Sequence, residues 1–367
     1  MGDHRHLRLG TSRALLLAAL VLASAPLALP ARGEGQTQQV ISTVSVGGGP
    51  AGVAYDPAKG EVFVTDLRNK TVDVISDATN AVVARVKVGT GPAGVAYDPK
   101  GEVFATNALD NTTSVISDSS DTVVASVKVG GGPTGVACDP SKGEVFVANY
   151  LGDTVSVISD STNSVVATVA VGRYPYAPIY DPAHAEVFLT NALDNTTSVI
   201  SDATNEIVAT VGVGGGPTGG ALDPAKREVF VADYLGGTVS VISDETNTVV
   251  GTVKVGTHPT DVAYDSPDGE ILVTNAANDT VSVISDATNT VVATVKVGGQ
   301  PSGIDYDAAK GEVFAANNAD GTVSVISSAP ASTSSSVPEF PAAYLPAVAL
   351  IAIATAALGS RRLRANS

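Results

Sequence analysis

From residue 39 to residue 328 the chain runs in short stretches of alternating apolar and polar positions, each closed by Gly, Asn, Asp or Pro. Residues 135–171 show the plan: GVACDP (135–140), GEVFVANY (143–150), DTVSVISD (153–160) and NSVVATVAV (163–171), separated by DPSKG, NYLGD and SDSTN. Runs of four to eight residues rich in Val and Ile, bounded by turn residues, predict antiparallel strands joined by tight turns. The 3.6-residue apolar spacing of an amphipathic helix is absent from this region. The four-strand unit recurs. Pro50, Pro92, Pro133, Pro175, Pro217, Pro259 and Pro301 mark it at intervals of 42, 41, 42, 42, 42 and 42 residues. A repeat of about 40–45 residues with four strands is the period of a propeller blade.

The last unit has only three strands before the pattern stops, and the first is preceded by a lone strand, VISTVSV (40–46), which matches VVATVKV (291–297). Pairing the lone strand with the last unit completes seven blades and closes a ring, removing the open ends of a linear array. The expected fold is therefore all-β: a seven-bladed β-propeller of four-stranded antiparallel blades over residues 39–328, closed by the N-terminal strand. The first strand of each unit should line the axis. VGGGP-type and NALDN-type connections then share one face, and DPAKG-type and SDATN-type turns share the other.

The stretch VTNAANDTVSVISDATNTVVATVKVGGQPSGIDYD (273–307) resembles the YVTN repeat of seven-bladed propellers in archaeal surface-layer and bacterial envelope proteins. Phe replaces the leading Tyr in FVTD (63–66), FATN (104–107), FVAN (146–149), FLTN (188–191), FVAD (230–233) and FAAN (314–317), and LVTN stands at 272–275. The resemblance implies a propeller displayed at a cell surface. The tail Pro338-Glu339-Phe340-Pro341, followed by an apolar run and arginines, is similar to a PEF-type archaeal sorting signal. It implies a membrane-embedded sorting enzyme acting near that motif.

The two ends read as targeting segments. Residues 1–31 combine arginines, an apolar run (14–29) and a small-residue cleavage site, as in a secretory signal peptide. Residues 329–341 form a Ser/Pro-rich linker containing the PEFP motif. Residues 342–360 are just long enough for a transmembrane helix, and 361–367 form a basic tail expected to stay cytoplasmic. The expected location is the extracellular face of the membrane.

Charge narrows the partners. Residues 40–328 hold 14 Lys and Arg against 34 Asp and Glu, so nucleic acid is excluded as a partner. Cell-envelope proteins or glycans are the expected partners. The single Cys138 rules out an internal disulfide framework. Only His184 and His258 lie outside the N-terminal segment, too few for a histidine-based metal site, and no Ser/His/Asp grouping or Gly-rich nucleotide loop appears. No catalytic residue, cofactor or metal is expected on these grounds.

The units differ most in the connections of one face. Arg173, Tyr174 and Tyr176 surround Pro175, His258 precedes Pro259, and Tyr150 and Tyr234 occupy second-to-third-strand loops. Tyr and Arg in loops on a rigid scaffold are candidate partner-binding residues. Four N-x-S/T sequons in the same loops make Asn69, Asn111, Asn195 and Asn278 glycosylation candidates. Asp77, Asp118, Asp160, Asp202, Asp244 and Asp286 of the SDATN-type turns are expected to bond their own turns, on separate blades too far apart to share a cation. Asp305 stands where other units have Ala or Ile and would form, with Asp261, a small acidic site in the channel, or else hydrated carboxylates at its mouth.

These features favour a non-catalytic cell-surface propeller acting in adhesion, envelope architecture or ligand binding. The alternative is an extracytoplasmic propeller enzyme, lactonase- or dehydrogenase-like, with its site in the central channel.

Overall fold

The structure, a computed structural model, describes residues 37–329. The expected signal, linker, span and tail lie outside them, and among the described residues no helix is long and apolar enough to cross a membrane. Twenty-eight strands, numbered β1–β28 in chain order, form seven four-stranded antiparallel sheets. Blade 1 is β2 (Pro50–Asp56), β3 (Glu61–Asp66), β4 (Thr71–Ser76) and β5 (Ala81–Lys87). Blades 2 to 6 repeat it, their inner strands being β6 (Pro92–Asp98), β10 (Pro133–Asp139), β14 (Pro175–Asp181), β18 (Pro217–Asp223) and β22 (Pro259–Asp265). Blade 7 is β26 (Pro301–Asp307), β27 (Glu312–Asn317) and β28 (Thr322–Ala329), completed by β1 (Thr37–Ser45). The pairing Thr37↔Ala329 through Ser45↔Thr322 closes the ring. This is a seven-bladed β-propeller.

The core lies between blades. Phe63, Phe104, Phe146, Phe188, Phe230 and Phe314 of the second strands are wholly buried, and Leu272 fills the slot in blade 6. A ring without a hydroxyl suits a site this dry, since a buried O–H would need a partner. Burial of each such side chain stabilises the fold by about 1.5–3 kcal/mol.

Hydroxyls tie neighbouring inner strands together at every seam, from one of two positions, and from both in blade 6, where Thr260 joins Thr274. Thr65 Oγ1 in blade 1 donates to Ala93 O of blade 2 at 2.7 Å, and Thr106, Thr190 and Thr274 make the equivalent bond. Blades 3, 5 and 7 carry Ala148, Ala232 and Ala316 in that slot. There Thr134, Thr218 and Ser302, just after the Pro, reach across instead, to Tyr176 O (2.9 Å), Pro259 O (3.3 Å) and Ala51 O (3.0 Å). The sequence variation between VTN and VAN thus conserves a bond rather than a residue.

In blades 1 to 6 the outer strand carries a bulge, as between Val74 and Ile75 of β4, which pair with Ala84 and Val82 and skip Val83. The skipped residue turns outward: Val83, Val124, Val166, Val208, Val250 and Val292 are each about half exposed, as is Ile41 at the bulge of β1. A bulge in each rim strand interrupts the regular edge that another sheet would need for pairing.

Candidate functional site in the central channel

The seven inner strands enclose a cavity of about 480 Å³ on the axis. Its wall is built from Ala, Gly, Val, Pro and a few hydroxyl residues, because the inner strands must approach closely. In blade 1, a Cβ on Gly52 would stand 2.7 Å from Ala93 O of blade 2. Against this wall two carboxyls stand out: Asp261 on β22 and Asp305 on β26 are the only charged residues lining the cavity. They belong to adjacent blades, with Asp261 two residues and Asp305 four residues below the Pro that opens each strand.

Both carboxyls are held by backbone N–H groups alone. Val262 N (2.9 Å) and Ile304 N (3.3 Å) donate to the two oxygens of Asp261. Tyr306 N (2.8 Å) and Tyr55 N (2.7 Å) donate to those of Asp305. Each side chain therefore bridges its own blade and the next. Asp261 has room because its neighbour on β18 is Gly219, where a Cβ would lie 2.0 Å from Asp261 Oδ1. Burial pushes Asp261 up to about 7, against the two N–H bonds that favour its ionised form, and the Asp305 charge adds to the rise. Burial likewise raises Asp305 to about 6. Both side chains are half-buried and keep contact with the channel, so solvent can still reach them.

The loop residues singled out in the sequence converge on one mouth of this channel. The Tyr150 ring of blade 3 stacks on Tyr174, which leads into blade 4, at 4.5 Å and 19°, and meets Tyr176 edge-on at 6.4 Å. Two seams further on, Tyr234 of blade 5 stacks on His258, which leads into blade 6, at 4.3 Å and 9°. Tyr176 lines the channel itself, and its hydroxyl is pushed up to about 12 by burial, with Asp261, Tyr150 and Tyr234 contributing. Tyr174 and His258 hold φ of 56° and 55°, where blades 1, 2, 3 and 5 use Gly49, Gly91, Gly132 and Gly216. Gln300 of blade 7 holds the same conformation at 51°, so the φ belongs to this connection and the aromatic side chains are what set blades 4 and 6 apart. Arg173 is engaged within blade 4, its Nη2 lying 2.6 Å from Asp194 Oδ1.

The sequon asparagines sit exposed on the same face, but their amides already serve the loops. Asn111 and Asn195 accept from Gly132 N and Gly216 N at 2.8 Å, Asn278 accepts from Thr257 N at 2.5 Å, and Asn69 donates to Asp66 at 2.7 Å.

The opposite face corrects the reading of the SDATN aspartates. The Asx bonds belong to the DP turns instead, as in Ala58 N to Asp56 Oδ1 at 2.7 Å. The SDATN carboxyls face the preceding blade: Lys59 Nζ reaches Asp118 Oδ1 at 3.2 Å, Lys226 reaches Asp286 at 3.4 Å and Lys310 reaches Asp77 at 3.2 Å. Lys100 binds Asp160, and Lys142 binds the Asp202 carbonyl. Carboxyls of neighbouring turns do converge. Asp56, Glu61 and Asp118 place ligand atoms within 4.8 Å of one another, as do Asp181, His184 and Asp244, and Asp265, Asp268 and Glu270. Each is a possible oxygen-rich cation set, but Lys59 enters the first, while Arg227 contacts His184 and Asp244 of the second. All three lie away from the aromatic mouth.

No family model and no curated protein matches the chain. Among solved structures it is similar to a chain of Kuenenia stuttgartiensis hydrazine synthase, at a TM-score of 0.69 and 18% identity, covering 77% of this chain and 96% of that one. At that identity the likeness shows the fold. It also corrects the functional expectation, because this architecture serves in an enzyme. The expectation of a non-catalytic adhesive or architectural protein, and with it that of a chain without enzymatic activity, does not stand. It rests on missing histidine and serine constellations and sets the Asp261–Asp305 pair aside as a small acidic site or hydrated carboxylates.

Proposed function

We propose that the chain is an extracytoplasmic propeller enzyme whose active site is the central channel, with Asp261 and Asp305 sharing general acid and base roles in hydrolysis of a small ester or lactone. The observation that carries this reading is the pair of carboxyls, alone in charge on the cavity wall and displaced to about 7 and 6. Between those values Asp305 is mainly ionised and Asp261 mainly protonated, the division that one acid and one base require. Asp305 takes a proton from water as the water oxygen bonds to the carbonyl carbon. The carbonyl–oxygen single bond then breaks, and Asp261 gives its proton to the leaving oxygen. Proton transfer through solvent restores both groups.

The YVTN-type repeat and the signal-like N-terminus support placement outside the cytoplasm. Thr37 and Ala329 pair at the face opposite the aromatic mouth. A C-terminal anchor would therefore turn that mouth outward. The dehydrogenase alternative needs a metal or quinone, and the possible metal sets among the described residues lie on the opposite face.

The test is a hydrolysis screen of aliphatic lactones and p-nitrophenyl esters. The rate should be bell-shaped, with limbs near pH 6 and 7. Asp305→Asn should remove the acid limb and Asp261→Asn the alkaline limb, each lowering kcat by about 100-fold or more. A hydrolytic rate unchanged in the double variant would sink the reading.

A further inference from the structure

We infer that the channel takes an organic cation, an ammonium head seated against Asp261 and Asp305 with its apolar body against the small-residue wall and Tyr176. This rests on the channel being the functional site and names a ligand that would occupy the two carboxyls in place of the ester, ionising Asp261 and so competing with hydrolysis.

The cavity wall holds two carboxyls and no Lys, Arg or His. Their oxygens receive single backbone N–H bonds, each leaving further acceptor capacity. At its other face the chain supplies cations to four of the crowded carboxyl sites, by Lys59, Lys100, Lys226 and Lys310. In the channel it supplies none. A bound cation would provide the missing charge, and an anion would meet two carboxyls with no counter-charge. The remaining lining is mixed: Ala, Gly and Val of the inner strands, with Pro178 and Ile304, are interspersed with the hydroxyls of Thr134, Thr260 and Ser302. An ammonium head suits two carboxyls from adjacent blades, and the aliphatic part of the wall accommodates its carbon body; calcium, which takes six to eight oxygens, is the competing cation to test. Tyr176 contributes an aromatic ring to the same cavity, and the Tyr150–Tyr174 and Tyr234–His258 stacks offer more at its approach. Ring faces attract ammonium groups. A volume of about 480 Å³ suits a small ligand. The excess of acidic residues over the domain steers cations inward.

The experiment is calorimetric titration of the full chain at pH 7 with n-butylammonium and tetramethylammonium, against 1-butanol, butyrate and calcium chloride. Both ammonium ions should bind at least tenfold more tightly than the other three. Their binding should release protons, read as a heat that changes with buffer ionisation enthalpy. The isosteric Asp261→Asn/Asp305→Asn variant, checked for native circular dichroism, should lose at least tenfold in affinity. Where that variant does not fold, ¹³C titration of the wild-type carboxyls with and without n-butylammonium replaces it, and a downward shift is expected. Equal binding of 1-butanol, tighter binding of calcium, or undiminished binding by the variant would overturn the inference. Carboxyls titrating near 6 and 7 with no ammonium binding would overturn this inference and leave the acid–base reading standing. Carboxyls titrating near 4 would overturn both.

Discussion

Two sets of carboxyls face each other across the length of this propeller, and the chain treats them in opposite ways. At the turn face, Asp118, Asp160, Asp286 and Asp77 each meet a lysine from the preceding blade, at the same repeat position every time. In the channel, Asp261 and Asp305 occur once each, break the repeat, and meet only backbone N–H groups. Both sets are buried or half-buried, so burial alone does not separate scaffold from site. Compensation does. Where a repeat recruits a counter-charge at most of its copies it is holding blades together. Where single copies depart from it without one, the cost is retained for another purpose.

The largest test of that distinction lies where the repeat is broken covalently. Blade 7 borrows β1, whose Val44, with Val46 just beyond the strand, is buried in the seam with blade 1. Each contributes about 1.5–3 kcal/mol by burial, and the lost ladder adds to it, so removal approaches the ~5–15 kcal/mol that stabilises a whole domain. Deleting Thr37–Val46 should abolish cooperative melting in scanning calorimetry. A variant melting like the full chain would mean that ring closure is dispensable, and that this break in the repeat is ornamental.

A smaller effect, of distinctive sign, belongs to the channel pair. Their folded-state pKa values lie above the usual carboxylate value, so ionising them opposes folding. The stability they contribute is complete below about pH 4 and is lost as pH rises through 6 and 7. Each pH unit of displacement is worth about 1.4 kcal/mol, which sets an upper bound of roughly 7 kcal/mol for the pair, lowered to a few kcal/mol by the solvent that reaches both half-buried side chains. Asp261→Asn/Asp305→Asn should therefore match the wild type at pH 4 and exceed it at pH 8 in urea denaturation. Equal stability at both pH values would show the carboxyls to be hydrated after all.

The sequence exposed the ring and the residues of the site but hid how they are arranged, for physical reasons. Proline spacing and the orphan strand at 40–46 report local turn chemistry and strand pattern, which the period of the repeat multiplies sevenfold. Asp305 could be seen as an exception to a column of Ala and Ile, but its displaced ionisation depends on the desolvation of the axis, which no single strand reveals. The stacks of Tyr150 on Tyr174 and Tyr234 on His258 pair residues 24 positions apart, across a seam and not along a strand. A signal did exist: aromatic residues replace Gly before Pro175 and Pro259 in the blades that follow Tyr150 and Tyr234. The lysine clasps were missed because each links one unit's first turn to the next unit's last, a pairing visible only once the blades are set side by side.

The smallest expected effect, and the converse of the channel experiment, comes from removing one clasp. Lys59 Nζ bonds the Asp118 carbonyl, lies 3.2 Å from Asp118 Oδ1 and 3.5 Å from Glu61 Oε2, and neighbours Asp56. Lys59→Met keeps much of the apolar stem and deletes the charge, leaving three converging carboxyls uncompensated. Because Lys59 is about a third exposed, solvent screens the loss, and about 1–2 kcal/mol is expected rather than the ~3–5 kcal/mol of a fully buried pair. Protonation relieves the repulsion, so the deficit should be clear at pH 7 and shrink toward pH 4. The wild type would then exceed the variant most at the pH where the Asp261/Asp305 double variant exceeds the wild type. Opposite signs at pH 7 would establish that the two sets of carboxyls are held for different ends. The same sign in both would mean that the channel carboxyls, too, are scaffold.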